Sequence, residues 1–184
     1  MRYFVGFLIS IGLIILLIVL LFHHGPSKVP VTKQPLISYA NTDTEVRLTI
    51  DGPVNAPQNH NSIRITIGQN DTTYQQIQGY DGNSVNTQTF AMTESAYDVF
   101  LHALQHAGYT LGNDDKNLKD ERGYCPLGNR YIFEIIQNGS DLERYWTTNC
   151  SSTPSTFKGR ASIILSLFKA QVPGYDELVS DVQL

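Results

Sequence analysis

Two short segments of the chain alternate apolar and polar residues with a period of two. Segments 44–51 and 62–68 place apolar side chains at every second position, namely Val46, Leu48, Ile50, Ile63, Ile65 and Ile67. This alternation is typical of strands that bury one face of a sheet. Segments 74–80 and 84–92 carry weaker strand patterns, separated by the turn residues 81–83. The first half of the globular region therefore predicts four strands.

Helical periodicity follows these strands. Thr93 is a suitable N-cap, Glu94 lies in the first turn, and Gly108 is a helix stop. Apolar residues repeat at helical spacing between these ends, at Tyr97, Phe100, Leu101, Leu104 and Ala107. The pattern predicts one amphipathic helix with a single buried face.

A hairpin is predicted at Asn138-Gly139, which is flanked by the strand-like segments 130–137 and 142–148. A two-residue turn pairs residue i with residue 277 − i. That register places Glu134 opposite Glu143, and like charges facing each other are unfavourable. A four-residue loop, which would pair Phe133 with Trp146, remains an alternative.

The two cysteines, Cys125 and Cys150, lie near the open end of this hairpin. In the two-residue register Cys150 is opposite Leu127, two residues from Cys125. Bridging is therefore geometrically easy, and an even cysteine count on an exported domain favours a disulfide. Two free buried thiols are the alternative if the domain is cytosolic.

A second helix is predicted from about Ser155 to Val172, with Pro173 as its stop. Its apolar stripe comprises Phe157, Ala161, Ile164, Leu165, Phe168 and Val172. The element order is thus ββββ-α-ββ-α. Antiparallel strands with segregated helices predict an α+β fold, a two-layer domain in which two helices cover the sheet.

Residues 3–22 form an apolar run without any charge, in which Ser10 is the one strongly polar residue. Twenty helical residues span about 30 Å, the thickness of the hydrocarbon core of a bilayer. The run is longer than the h-region of a cleaved signal peptide and is not followed by a good cleavage site. We therefore expect residues 1–22 to be a transmembrane signal-anchor and residues 23–41 a Pro-containing stalk. The positive charges on the two sides of the run are nearly balanced, so the short N-terminal tail before a large C-terminal domain is what favours an extracytoplasmic location for residues 42–184.

The distribution of charge argues against nucleic acid as a partner of the globular region. Only Arg2 of the 13 Lys and Arg residues, and none of the 17 Asp and Glu residues, precedes residue 23, so residues 23–184 carry a net charge of −5. No basic patch fit for nucleic acid is apparent. The lipid bilayer, through residues 3–22, is the one partner that the sequence predicts directly.

Three candidate chemical motifs are weak. Ser155 and Lys158 match the S-x-x-K nucleophile motif, but the S-D-N and K-T-G motifs that complete such sites are absent, and Ser155 is better read as a helix N-cap. His102 and His106 have chelating spacing, but they point away from the apolar stripe and lack a third ligand. The acidic loop 113–122 lacks calcium-loop spacing and is expected to be solvated. No catalytic, cofactor or metal site is predicted.

Aromatic and arginine residues cluster around the hairpin. Tyr, Trp and Arg are enriched at protein interfaces. The candidate contact surface for a protein partner consists of Arg122, Tyr124, Arg144, Tyr145 and Trp146. The alternative is that these aromatic side chains belong to the core.

The segments 120–126, 130–134 and 146–150, with Leu167-Phe168, resemble a group of uncharacterised membrane-anchored proteins of Saccharibacteria-type bacteria. The resemblance covers most of the domain, implies a bacterial, host-attached cell, and brings no known activity. The element order is also similar to small bacterial protease-inhibitor domains of the emfourin type. We therefore expect an anchored binding or structural domain rather than an enzyme. The alternatives are a tethered protease inhibitor, an envelope assembly factor, and a hydrolase with an unrecognised site.

Overall fold

The computed structural model describes residues 34–40 and 42–184, together with residue 12. Apart from residue 12, the predicted membrane anchor at residues 3–22 lies outside the described residues, as does most of the predicted stalk. Among the described residues, no helix is both long enough and apolar enough to cross a membrane.

The folded unit extends from Pro35 to Leu184. It opens with a 3₁₀ turn, Leu36–Tyr39, in which the Leu36 side chain is fully buried. The Ile37 amide donates a hydrogen bond of 3.3 Å to the Gln105 side chain. The end of the predicted stalk therefore packs on the domain, which begins before the expected start near Thr42.

Six antiparallel strands form one sheet, in the spatial order β4-β3-β2-β1-β5-β6. The strands are β1 (Thr44–Asp51), β2 (Asn61–Ile67), β3 (Asp71–Gln78), β4 (Ser84–Ala91), β5 (Arg130–Gln137) and β6 (Ser140–Thr148). The six strands expected from the alternating pattern are all present. The predicted α+β class with an antiparallel sheet is confirmed.

The first helix, α1 (Glu94–Ala107), forms as predicted. The Thr93 side chain accepts a hydrogen bond from the Ala96 amide at the N-terminus, and Gly108 ends the helix in the left-handed conformation, with φ of +82°. Every residue of the predicted apolar stripe is buried.

The C-terminal helix starts later than predicted. Helix α2 (Ala161–Lys169) is followed by the short α3 (Tyr175–Leu178), and residues 155–160 precede both as an irregular segment. The predicted helix start at Ser155 is wrong because this segment bonds to other parts of the chain. The Phe157 amide donates to the Trp146 carbonyl at 3.0 Å, and Phe157 forms an isolated bridge with Gly112.

The core lies between one face of the sheet and helices α1 and α2. Tyr109, directly after α1, is buried there, and its ring stacks on Phe168 with centroids 5.9 Å apart. The Tyr109 hydroxyl contacts the Arg47 carbonyl at 2.8 Å and the Glu134 carbonyl at 2.9 Å, so this side chain joins β1 to β5. Burial raises the pKa of Tyr109 well above its ordinary value.

The β5–β6 hairpin turns at Asn138-Gly139, as predicted. These two residues have φ of +50° and +74°, the left-handed conformation that a two-residue turn between twisted strands requires. Gln137 pairs with Ser140 directly across the turn. The two-residue turn is therefore confirmed, and the four-residue alternative is wrong.

A β-bulge then changes the register of this hairpin. Ile135 pairs with Glu143, so that Leu142 is skipped. Glu134 consequently faces Arg144, whose Nε lies 3.4 Å from Glu134 Oε1. The predicted register is wrong beyond this point, because one extra residue in β6 replaces a like-charge contact with an ion pair.

Cys125 and Cys150 form the predicted disulfide at the open end of the hairpin, with Cα atoms 5.7 Å apart. Gly128 passes close to this bridge. A Cβ added to Gly128 would lie 2.7 Å from the Cys125 sulfur and 3.2 Å from the Cys150 sulfur. A glycine is therefore needed where the chain crosses the disulfide.

Candidate functional site

The face of the sheet opposite the helices holds a concave pocket of about 370 Å³. Successive side chains of a strand point to opposite faces of the sheet. Val46 and Leu48 of β1 enter the core, so Arg47, Thr49 and Asp51 point to the other face and form part of the pocket floor. The neighbouring strands contribute Ser62, Arg64, Arg130, Ile132 and Glu134. The outward positions of the three central strands therefore form a polar, charged floor.

A buried ionic cluster closes one end of this pocket. Arg130 is fully buried at the start of β5, and its Nε and Nη2 lie 2.8 Å and 2.7 Å from Asp51 Oδ2. Its Nη2 also donates to the Gly52 carbonyl. A planar guanidinium suits such a two-contact carboxylate pair. Arg130 thus joins the end of β1 to the start of β5.

His60 lies on the other side of the Asp51 carboxylate. Its Nε2 is 2.9 Å from Asp51 Oδ1, and its Nδ1 is 3.0 Å from the Pro53 carbonyl oxygen. Both ring nitrogens therefore lie within hydrogen-bond distance of protein oxygens. In this geometry His60 has no free nitrogen to take a proton from a substrate. A structural role fits it better than a general-base role.

An aromatic wall stands above this cluster. The Tyr80 ring stacks on His60, with ring centroids 4.1 Å apart and planes inclined by 14°. The Tyr80 hydroxyl donates to the Asn55 carbonyl at 2.9 Å and accepts from the Asn55 amide at 3.1 Å. Tyr80 is therefore held at both ends, yet half of its surface remains exposed.

A second charged cluster occupies the opposite end of the pocket. Arg144 Nη2 lies 2.7 Å from Glu121 Oε2, and Arg47 Nη1 lies 3.8 Å from Glu134 Oε2. Burial raises the pKa of Glu134, while Arg144 and Arg47 lower it. One carboxylate, Glu134, thus lies between cations from β1 and β6.

Arg64 of β2 projects into the same pocket without a carboxylate partner. Within the described part of the chain it forms no ion pair, and its Nε is buried without a hydrogen-bond partner. Burial lowers the pKa of Arg64, nearby Arg47 lowers it further, and Glu134 raises it. Arg64 is the least compensated cation of the pocket.

The predicted contact surface is divided between the core and the pocket. Tyr145 and Trp146 are buried, so the prediction that they form an exposed surface is wrong. The Trp146 indole donates to the Leu118 carbonyl at 2.6 Å, because the loop that precedes the hairpin covers this end of the sheet. Tyr124 is half-buried against Trp146, with ring centroids 5.1 Å apart.

Arg122 and Arg144, the two arginines of the predicted surface, both line the pocket. Arg122 is exposed and bonds to Asp120, whose pKa it lowers through side-chain and backbone hydrogen bonds. Arg144 is about one-third exposed and reaches Glu121 of the loop predicted to be solvated. That loop therefore contributes a buried carboxylate to the site.

The histidines of the first helix do not contribute to the site. His102 and His106 are exposed on α1, as predicted, and His102 lies 4.0 Å from Asp98. Residues 34–40 and 42–184 contain no group of three or more His, Cys, Asp or Glu residues that could hold a metal ion.

No protein-family model matches the chain, and no curated protein matches it significantly.

Proposed function

We propose that the chain is a membrane-anchored, extracytoplasmic binding protein, in which residues 3–22 anchor the domain and the charged pocket of the open sheet face receives a ligand. The pocket carries the proposal, because it lies within the 300–1,000 Å³ of typical ligand sites and combines polar groups with an aromatic wall. The Cys125–Cys150 disulfide supports an oxidising compartment, where such bonds persist. A bacterial cell surface is the setting we propose.

Binding is favoured over catalysis by the way in which the charged groups are engaged. Asp51 is bonded to Arg130 and His60, and Glu121 is bonded to Arg144. A general acid or base must be within reach of a substrate and able to exchange its proton. These groups are instead fixed to each other, which suits a preorganised surface for recognition.

The location is tested with an introduced surface cysteine. Val85→Cys places a thiol at an exposed position of β4, and the native cysteines are bonded to each other. We expect an impermeant maleimide to label this variant on intact cells that express the chain. Ile65→Cys, at a fully buried position away from the pocket, is the matched control and should react only after denaturation. Labelling of the Val85→Cys variant only after lysis would contradict the extracytoplasmic location.

The binding face is tested by photo-crosslinking from two positions with similar exposure. A photoreactive phenylalanine analogue at Tyr80 lies at the pocket, whereas the same residue at Val99 lies on α1. We expect a crosslinked product in native cells, seen as added mass on the purified chain, only from position 80. Products of equal yield from both positions, or from position 99 alone, would show that the pocket is not the binding face.

A further inference from the structure

The pocket has a local excess of positive charge, although the region from residue 23 onwards is acidic. Most of its cations have their own carboxylate: Arg122 is bonded to Asp120, Arg130 to Asp51, and Arg144 to Glu121. Two arginines then remain. Arg47 has Glu134 at 3.8 Å, a carboxylate that Arg144 also contacts, and Arg64 has no carboxylate within ion-pair distance in the described part of the chain. The uncompensated charge is therefore located at one place in the pocket, on the floor formed by β1 and β2.

The register of the sheet holds these two guanidinium groups near each other. Arg47 pairs with Thr66 and Thr49 pairs with Arg64, so Arg47 and Arg64 are diagonal neighbours across β1 and β2. Long side chains reach each other across such a diagonal, and like charges there repel. Features that violate local rules of stability are found mainly at functional sites. An anion bound between the two side chains would relieve this repulsion.

Unused hydrogen-bond donors accompany the charge. Arg64 Nε and Arg130 Nη1 are buried without acceptors in the described part of the chain, and Arg130 is itself fully buried. Buried donors without partners are uncommon and call for a specific explanation. Guanidinium groups match the paired oxygens of carboxylate and phosphate groups better than any other side chain. A carboxylate or phosphate oxygen is therefore a suitable acceptor for these donors.

The aromatic wall indicates what carries this oxyanion. Tyr80 is fixed by its hydroxyl and by stacking on His60, and half of its surface remains open at the pocket. A flat apolar group can pack against such a ring, with centroids about 4.5–7 Å apart in favourable aromatic pairs. The volume of about 370 Å³ exceeds the need of a bare inorganic ion. The site thus suits an anionic group attached to a ring.

From these observations we infer that the pocket binds a small organic oxyanion, a phosphate or carboxylate group on a ring, through Arg64 and Arg47 with Tyr80 against the ring. This inference rests on the proposed function, since it names the ligand chemistry of the proposed binding face. It concerns recognition alone and involves no covalent step.

The test uses the full chain in an uncharged detergent, with phenyl phosphate and benzoate as probes in calorimetric titrations at low ionic strength. We expect at least one of these probes to bind more tightly than inorganic phosphate does. The probe that binds more strongly shows whether the site prefers a phosphate or a carboxylate group. Arg64→Gln should weaken that binding at least about tenfold, because hydrogen bonds to charged groups are among the strongest in proteins. Arg64→Lys, which keeps the charge, should retain part of the affinity.

Lys116→Gln is the matched control, because it removes one positive charge from an exposed loop position that does not line the pocket. It should change the affinity less than about twofold, as expected for a screened distant charge. Thermal melting of each variant verifies folding. Binding of neither probe, or equal affinity of the wild type and the Arg64→Gln variant, would overturn the oxyanion inference. Crosslinking from position 80 would still support the binding face in that case, so the two proposals fail separately.

Discussion

Replacing Arg130 with methionine is expected to lower the free energy of unfolding by about 3–5 kcal/mol, the usual effect of removing one partner of a buried ion pair. The Arg130 side chain is 1% exposed and contacts both Asp51 and the Gly52 carbonyl. Methionine fills a similar volume but leaves the Asp51 carboxylate without its guanidinium partner, with the contact to His60 Nε2 remaining. The loss therefore arises from an uncompensated charge more than from a cavity.

Urea denaturation followed by circular dichroism measures this effect for the full chain in detergent. Arg122→Gln is the control, because it also removes one arginine from the pocket lining. Arg122 pairs with Asp120 on the exposed surface, so its loss is expected to leave the unfolding midpoint almost unchanged. Adding Asp51→Asn to the Arg130→Met variant should recover part of the loss, since the unpaired carboxylate is then removed. An Arg130→Met chain as stable as the Arg122→Gln chain would show that the ion pair stabilises little.

The elements that the sequence predicted well are those governed by local rules. The apolar stripe of α1, its Thr93 cap and its Gly108 stop depend on neighbours within a few residues, and all appear in the structure. The turn at Asn138-Gly139 is equally local, since both residues tolerate the left-handed conformation. Period and capping therefore predicted most of the secondary structure.

The errors concern places where distant segments compete with local preference. Phe157 fits the helical spacing of the apolar stripe, which predicted a helix start at Ser155. The Phe157 amide instead donates to the Trp146 carbonyl and the Lys158 amide to the Leu111 carbonyl, so the helix begins later. Trp146 and Tyr145 were both placed on the candidate contact surface, although adjacent residues of β6 point to opposite faces of the sheet. A loop covers the outer face, so both are buried.

The residues that form the pocket can be recognised as a group only after the order of the strands in the sheet is known. Arg47, Asp51, Arg64 and Arg130 occupy the polar positions of alternating strands, where solvated charges are ordinary. The order β2-β1-β5 at the centre of the sheet gathers them on one floor. Their pairing, and the absence of a carboxylate partner at Arg64 within the described residues, depends on this non-local order.

Removing the disulfide with the double substitution Cys125→Ala and Cys150→Ala is expected to lower the free energy of unfolding by roughly 3–4 kcal/mol, from the loop-closure entropy of a loop of this length. The two cysteines are 25 residues apart in sequence and enclose the whole β5–β6 hairpin. The bridge limits the conformations of the unfolded chain more than it adds contacts to the folded one, so the folded spectrum should change little.

Reduction of the wild type supplies the matched comparison. Dithiothreitol should lower its urea midpoint to that of the double variant, and it should leave the double variant unchanged, because the sequence contains only two cysteines. Equal midpoints for the oxidised wild type and the double variant would mean that the hairpin ladder persists in the unfolded ensemble and already limits the loop. Since the folded hairpin is expected to change little, the double variant should keep Arg130 and Glu134 in the pocket and should retain its affinity for a ligand bound there. Loss of binding under conditions in which the double variant is fully folded would show that the disulfide also holds the folded hairpin in place.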